Sequence, residues 1–384
     1  MSKINKITVL GSGVMGHGIA QVASKAGYNI VLRDVDQSFL DNAMNKIKWS
    51  LGKLVEKQKI SQNDADSIYG RITPIVDLKE ALKDSDLLIE AVPEDMELKK
   101  KVYADVDRFA EEKTIYASNT STLPISEMAS LTNRPTRFIG LHFFNPPQLM
   151  PLVEVIPGRS TDDDTVRLSL EFIKKIGKDP VLCKRDVVGF IVNRIFIPLV
   201  HEAAHCLERD KTTTMIKIDS AVKFKMAFPM GIFELADYTG LDVIHKASKE
   251  MFSRDKKVIK PHPMIETLFT EKKFGQKSGS GFYDYGKEGS YERVQLSESE
   301  AQEYDSIALV AVAANNAAWL LSNGACDKND LEKALKLGMG LKKPLFTLVE
   351  EFGTQRVVQA LETLANNYGE FYEPDIMLKR MASD

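Results

Sequence analysis

The sequence predicts an α/β domain built on a parallel sheet over residues 1–186, followed by all-α segments. In those segments one helical unit is duplicated, as residues 187–285 and 296–384. Three observations carry this. Through the first half, short apolar runs alternate with amphipathic stretches, the pattern of βαβ units. After Cys183 that alternation stops and longer helical patterns take over. Finally, "AVKFKMAFPMGIFELADYTG" (Ala221–Gly240) is echoed by "ALKLGMGLKKPLFTLVEEFG" (Ala334–Gly353). Both read as a helix end, a Gly/Pro turn and a Phe-x-Leu entering the next helix.

The buried strands expected are Ile7–Leu10, Ile30–Leu32, Leu87–Ala91, Thr114–Ala117, Phe138–Leu141 and Leu152–Ile156. Between them the apolar period predicts helices over Val14–Ala26, Gln37–Lys59, Glu97–Phe109 and Thr165–Lys175. A boundary is expected near Lys184–Gly189, and a second break in the glycine-rich stretch Gly275–Gly289. Beyond it, Glu298–Leu321 and Lys328–Leu337 read as helices.

Composition narrows the function classes. The 384 residues are 43% hydrophobic and 27% charged, which excludes long disorder or a fibrous repeat. With 51 Lys+Arg against 54 Asp+Glu there is no overall basic field for nucleic acid. Three widely spaced cysteines, Cys183, Cys206 and Cys326, build no disulfide framework and point to a reducing compartment, so a cytoplasmic location is expected. No run of about 20 apolar residues offers a membrane span.

Gly11, Gly13 and Gly16 stand in G-x-G-x-x-G spacing between an expected strand and an expected helix. The first glycine suits a tight turn, the second lets backbone approach a pyrophosphate, and the third allows helix–strand contact. The helix N-terminus, from Val14 and Met15 on, offers unpaired N–H groups and a positive dipole. The next strand ends at Asp34, 23 positions after Gly11. An acid about 20 residues on binds ribose hydroxyls and repels a 2′-phosphate. These features describe a Rossmann-like dinucleotide domain and favour NAD, although Arg33 beside Asp34 blurs the choice against NADP. On the following helix, Lys46, Ser50, Lys53 and Lys57 share one face. Such a stripe is commonly just solvated, but it suits a polyphosphate handle.

"RFIGLHFFNPP" brings a strand to His142, placed just past Leu141, and "LVEVI" carries Glu154. A carboxylate within an apolar alternation needs a partner. If the two strands are neighbours, Glu154 can orient the imidazole and stabilise its protonated form, leaving the other nitrogen for proton transfer. Alone, a histidine is more often structural; beside a dinucleotide fold, a base is what alcohol oxidation requires. Ser118, Asn119, Thr120 and Ser121 gather polar groups at another strand end, where helix capping is the competing role.

Taken in order, "GSGVMGHGIAQ", "IVLRD", "LIEAVPEDMELKK", "SNTST", "GLHFFNPP", "LVEVIPG", "GFIVNR", "PMGIFELADYTGLD" and "GQKSGSGFYDY" resemble the L-3-hydroxyacyl-CoA dehydrogenase family, bacterial and archaeal 3-hydroxybutyryl-CoA dehydrogenases especially. The resemblance covers about residues 5–285. It implies an NAD-binding domain followed by a helical domain that binds an acyl-CoA thioester and dimerises. It implies His142 as base, Glu154 as its partner, and Ser121 and Asn193 as hydrogen-bonding partners of substrate oxygens. Asp34, Glu94, Lys99, Ser121 and Asn145 match positions lining the NAD site, and Ser50 and Lys57 match positions facing CoA. Some relatives carry a second helical repeat, which residues 296–384 resemble. Such a repeat could make a pseudo-dimer within one chain, in place of a homodimer. Ile232 departs from the family's usual proline, which bears on a local turn. There is no enoyl-CoA hydratase segment, so a bifunctional enzyme is not expected.

Two rival readings stand beside this one. His201, Glu202 and His205 fit H-E-x-x-H, the signature of helical zinc hydrolases, with His245 or His262 as a third ligand. That string overlaps the helix carrying Asn193, so the histidines are expected to be incidental, with no resident metal. The other rival is a non-catalytic NAD-binding protein, since fold alone does not fix function. The joint presence of His142, Glu154, Ser121 and Asn193 argues against it.

Overall fold

A computed structural model describes residues 4–289 and 292–383. The chain divides into two compact units, Met1–Val187 and Val188–Asp384.

The first unit alternates strands and helices: β1 (Lys6–Leu10), α1 (Val14–Lys25), β2 (Asn29–Arg33), α2 (Gln37–Glu56), α3 (Gln62–Gly70), β3 (Ile72–Ile75), α4 (Leu78–Leu82), β4 (Leu87–Glu90), α5 (Met96–Val106), β5 (Ile115–Ser118), α6 (Ile125–Ser130), β6 (Phe138–Phe143), β7 (Leu152–Pro157), α7 (Asp163–Lys175) and β8 (Asp179–Leu182). The strands form one eight-stranded sheet in the order β3-β2-β1-β4-β5-β6-β7-β8. Neighbours run parallel except β6 and β7, which pair antiparallel. The strand order reverses between β1 and β4, the switch point where open α/β sheets bind ligands. Asp36, Asp95 and Asp162 cap α2, α5 and α7 by accepting backbone N–H groups of the first turn. Ile7, Val9, Ile30, Leu32, Leu87 and Ile89 of the strands pack with Ile19, Leu40 and Ile47 of the helices into the main core.

Three expectations for this unit need correcting. His142 lies inside β6, not just past it. β3 and β8 form strands that the apolar pattern does not announce. Both are edge strands interrupted by Pro74 and Pro180, and an edge tolerates a residue that cannot donate to the ladder.

The second unit holds α8 (Val192–Arg209), α9 (Met215–Phe224), α10 (Ile232–Thr239), α11 (Leu241–Arg254), α12 (Pro263–Thr270), α13 (Glu298–Gln302), α14 (Ile307–Ser322), α15 (Lys328–Gly338), α16 (Leu345–Phe352), α17 (Thr354–Tyr368) and α18 (Ile376–Ser383). The series α8–α12 recurs as α14–α18 with near-equal lengths. Gly240 and Gly353, at φ 105° and 88°, join the third and fourth helix of each series. Asp219 of α9 accepts the N–H of Phe233 early in α10, as Glu332 of α15 accepts that of Leu345 at the start of α16. His201 Nδ1 accepts the N–H of His262 ahead of α12, as Asn315 Oδ1 accepts that of Asp375 ahead of α18. The first helices of the two series, α8 and the alanine-rich α14, pack against each other and are buried nearly all round.

The stretch Glu298–Leu321 is not one helix. It breaks after Gln302, where Tyr304 turns inward and the Asp305 carboxylate accepts the N–H of Ile307 to restart the chain as α14. In Gly275–Gly289, read from the sequence as a second break, the buried Asp237 carboxylate accepts the N–H groups of Phe282 and Tyr283 and holds the turn. Among the described residues, no helix is long and apolar enough to cross a membrane.

Candidate active site

The turn after β1 is shaped by its glycines. Gly11 sits at φ +90°, and a side chain there would strike the carbonyl of Ala91, 2.6 Å from a Cβ. A Cβ on Gly16 would lie 1.7 Å from the carbonyl oxygen of Gly11, so helix α1 can meet the turn only without one. A Cβ on Gly13 would meet nothing within 4 Å. That open side is where a pyrophosphate would approach the backbone at the head of α1. Asp34 follows β2, and its carboxylate is fixed by three donors: Oδ2 accepts the N–H and hydroxyl of Ser12 at 2.7 Å each, and Oδ1 accepts the N–H of Val35. Gly11, Gly13, Val14, Met15, Asp34 and the loop after β4 surround a cleft of about 610 Å³. The shape and the donor set fit a dinucleotide. Arg33 and Lys46 also line this cleft. Lys46 therefore leaves the basic stripe expected of α2, and Lys53 pairs with Glu56. Ser50 is half-buried and accepts a hydrogen bond from Gln21, while Lys57 is exposed at the end of α2.

A buried ion network supports the floor beyond this cleft. Glu90 ends the apolar strand β4, fully enclosed, and its carboxylate accepts from Lys99 Nζ at 2.7 and 2.9 Å, from Ser118 Oγ at 2.6 Å and from Tyr103 Oη at 3.1 Å. Lys99, 1% exposed, also lies 3.2 Å from Glu94. Glu94 in turn accepts the Thr120 hydroxyl and the backbone N–H groups of Ser121 and Thr122. Burial pushes the Glu94 carboxyl upward, yet Lys99 and these donors outweigh it and hold it below the usual range. Burial likewise disfavours the Lys99 charge, and the two carboxylates more than restore it. So Glu94 and Lys99 set the turn on which Ser121 stands. Sequence reasoning does not single out Glu90, although a carboxylate closing "LLIE" is the same signal that singles out Glu154.

On β6 and β7, His142 and Glu154 are directly opposed residues, and their side chains meet, His142 Nδ1 to Glu154 Oε2, at 2.6 Å. Glu154 is fully buried and His142 is 5% exposed, with Phe144 against its ring. A carboxylate this close fixes which ring nitrogen carries the proton and how the ring is oriented. Asn119 Oδ1 accepts the N–H of Phe143, tying the Ser118–Ser121 turn to the strand of His142. Ser121 is half-buried, Asn145 is exposed two residues past β6, and Asn193 stands half-buried at the start of α8 in the second unit.

The H-E-x-x-H string does not form a hydrolase centre. Glu202, which would be its base, is fully buried and bonded to Arg209 and the Tyr372 hydroxyl. His201 is fully buried, and its Nδ1 already accepts a backbone N–H. Burial pushes its pKa down to about 3 and that of His205 to about 4, so both rings are neutral.

Comparison with known proteins follows the same division of the chain. The family model described as "3-hydroxyacyl-CoA dehydrogenase, NAD binding domain" matches residues 6–187, and that described as "3-hydroxyacyl-CoA dehydrogenase, C-terminal domain" matches 189–285 and 308–384. The chain is 40% identical over 291 residues to the mitochondrial hydroxyacyl-coenzyme A dehydrogenase of Sus scrofa, covering 73% of this chain and 91% of that protein. It is 40% identical over 283 residues to a probable 3-hydroxybutyryl-CoA dehydrogenase of Deinococcus radiodurans, covering 73% of this chain and 100% of that one. The crystal structure of 3-hydroxybutyryl-CoA dehydrogenase from Escherichia coli superposes with a TM-score of 0.89 at 27% identity, covering 100% of this chain and 99% of that one.

Proposed function

The chain belongs to the 3-hydroxyacyl-CoA dehydrogenase family of NAD-dependent oxidoreductases, and from that premise we propose that it interconverts an (S)-3-hydroxyacyl-CoA, 3-hydroxybutyryl-CoA in particular, with the 3-oxoacyl-CoA. The observation that carries the assignment of chemistry is the 2.6 Å pair of His142 and Glu154, in the same unit as the dinucleotide cleft. Bound NAD supplies the hydride acceptor. His142 takes the hydroxyl proton of the substrate at Nε2, and in the reductive direction returns it. Glu154 holds the ring in place through Nδ1 and stabilises the imidazolium that results. Ser121 and Asn193 hold the substrate oxygens so that the reacting atoms meet at attack distance. Gly11, Gly13, Val14, Met15, Gly16, Asp34 and Asn145 contact the dinucleotide. Glu94 and Lys99 act at its edge by fixing the Ser121 turn, and Ser50 and Lys57 face the CoA handle.

The same reading divides the chain into a dinucleotide domain, residues 1–186, and helical repeats 187–285 and 296–384. On this reading the second repeat takes the place that a partner subunit's helical domain would otherwise fill. The location proposed is the cytoplasm, where the three buried cysteines stay reduced.

The test is a steady-state assay with acetoacetyl-CoA and longer 3-oxoacyl-CoA thioesters, NADH and NADPH in parallel. Turnover of a thioester with preference for NADH is expected. Failure to oxidise NADH with any thioester would sink the proposal.

A further inference from the structure

The histidines of α8 remain outside the chemistry assigned so far, and three donors converge there, of which the H-E-x-x-H spacing names only His205. We propose that His205, Glu208 and His262 bind a late first-row divalent cation, zinc in the first instance. His205 and Glu208 stand at i and i+3 near the end of α8 and so share a face. His262, which precedes α12, comes against that face with its ring edge-to-face on His205, centroids 4.6 Å apart. Glu208 Oε2 lies 3.7 Å from His205 Nδ1 and 3.1 Å from His262 Nε2, and one donor atom from each residue falls within 4.8 Å of the others.

Two ligands of one tetrahedral zinc, each about 2.0–2.2 Å from it, lie roughly 3.3–3.6 Å apart. Two of the three edges are therefore already near coordination length. Glu208 is largely exposed, so its carboxylate can rotate to close the rest without disturbing the core. Two imidazole nitrogens and one carboxylate oxygen are a donor set that zinc accepts, with a fourth position left over. His205 and Glu208 line a cavity of about 560 Å³, which gives that position room for water.

There is an opposing effect. His262 Nδ1 accepts the N–H of Met264 at 3.2 Å, so in the neutral ring the proton sits on Nε2. A metal on Nε2 needs the other tautomer and forfeits this helix cap. One cap weighs about tenfold in an equilibrium constant. A zinc ion on three protein donors outweighs that by orders of magnitude. The ion would clamp the end of α8 to the segment entering α12. It supplies no hydrolase, because Glu202 stays bonded to Arg209 and Tyr372.

The experiment titrates zinc chloride into the tag-free, chelator-stripped full-length protein by calorimetry, alongside His205→Gln and Glu208→Gln. Neither change removes a cap, and Glu208 is exposed, so both variants should fold; a thermal melt checks this. One equivalent of zinc at micromolar or tighter affinity is expected, weakened at least about tenfold in each variant. With cobalt(II) as a spectroscopic probe, the wild-type chain should show the strong visible bands of a four-coordinate ion and the variants should not. A wild-type chain that takes up no zinc, or an affinity that both variants leave unchanged, overturns the proposal.

Discussion

Across the antiparallel pair β6–β7, His142 Nδ1 and Glu154 Oε2 meet at 2.6 Å on directly opposed residues, with Glu154 sealed from solvent. On the proposed function, a buried carboxylate in that position makes the imidazole a directed base. Replacing His142 by Gln should lower turnover of acetoacetyl-CoA by about 100- to 10,000-fold, the usual contribution of a positioned acid–base group, while NADH affinity stays near native. Glu154→Gln keeps the shape and removes the charge. A hydrogen bond to a charged group contributes about 1.5–3 kcal/mol, so a loss of roughly 10- to 100-fold is expected. Stopped-flow turnover with separate NADH titrations checks both, and near-native turnover of His142→Gln would remove the assigned role.

Asp34 presents a carboxylate already held by Ser12 and Val35, and on the proposed function it reads ribose hydroxyls and repels a 2′-phosphate. Asp34→Asn keeps its size and removes the repulsion, and Arg33 on the same cleft is then available to a phosphate. The kcat/KM preference for NADH over NADPH should fall by about tenfold or more. An unchanged preference means the ribose is read elsewhere.

Lys99 tests the network under Ser121. Lys99→Met leaves Glu90 and Glu94 without their shared cation, and an uncompensated buried charge costs about 3–5 kcal/mol. For a unit of this size that is a fall of roughly 6–20 °C in melting temperature. Calorimetry of the variant at neutral pH measures it, and a melting point within a degree of wild type would show that the pair is not stability-determining.

Glu90 also shows where the sequence is legible. A carboxylate in an apolar run must find a partner, and that single rule makes Glu154 readable from "LVEVI"; it applies equally to "LLIE". The glycine spacing and Asp34 are readable because backbone geometry dictates them. The β3 and β8 edge strands are not, since Pro74 and Pro180 mask a short run whose pairing is decided by the neighbouring strand. Nor is the pairing of Glu202 with Tyr372, which closes across 170 residues and depends on how the two helical series pack.

Acid should destabilise the helical unit before most carboxylates titrate. His201 is buried neutral, with its pKa pushed down to about 3, against about 6.5 in the unfolded chain. Above pH 6.5 both states are unprotonated and the group contributes nothing to the pH dependence. Between pH 6.5 and 3 only the unfolded chain takes up the proton, so stability falls as pH falls, by roughly 3 kcal/mol at pH 4.5. Urea melts at pH 7 and 4.5 should show a larger loss for wild type than for His201→Gln, which binds no proton in either state. Equal losses would assign acid sensitivity to other groups.

Removal of the second helical series tests what it covers. In the full chain Arg194 of α8 lies with its guanidinium 4.0 Å from the Trp319 ring of α14, and Tyr372 satisfies both Glu202 and Arg209. A chain ending at Tyr285 loses α14 and Tyr372 together. It uncovers an apolar helix face and leaves the buried Glu202–Arg209 pair one partner short. A face of this kind must be covered again, and a second copy offers the same surface in isologous fashion. Light scattering should therefore give a concentration-dependent dimer for the truncated chain. Arg194→Glu on the truncated chain reverses the charge that Arg194 brings to that face, against Asp255 beside it, and should return it to monomer. A truncated chain that stays monomeric, folded and soluble at every concentration means that the second series does not stand in for a partner.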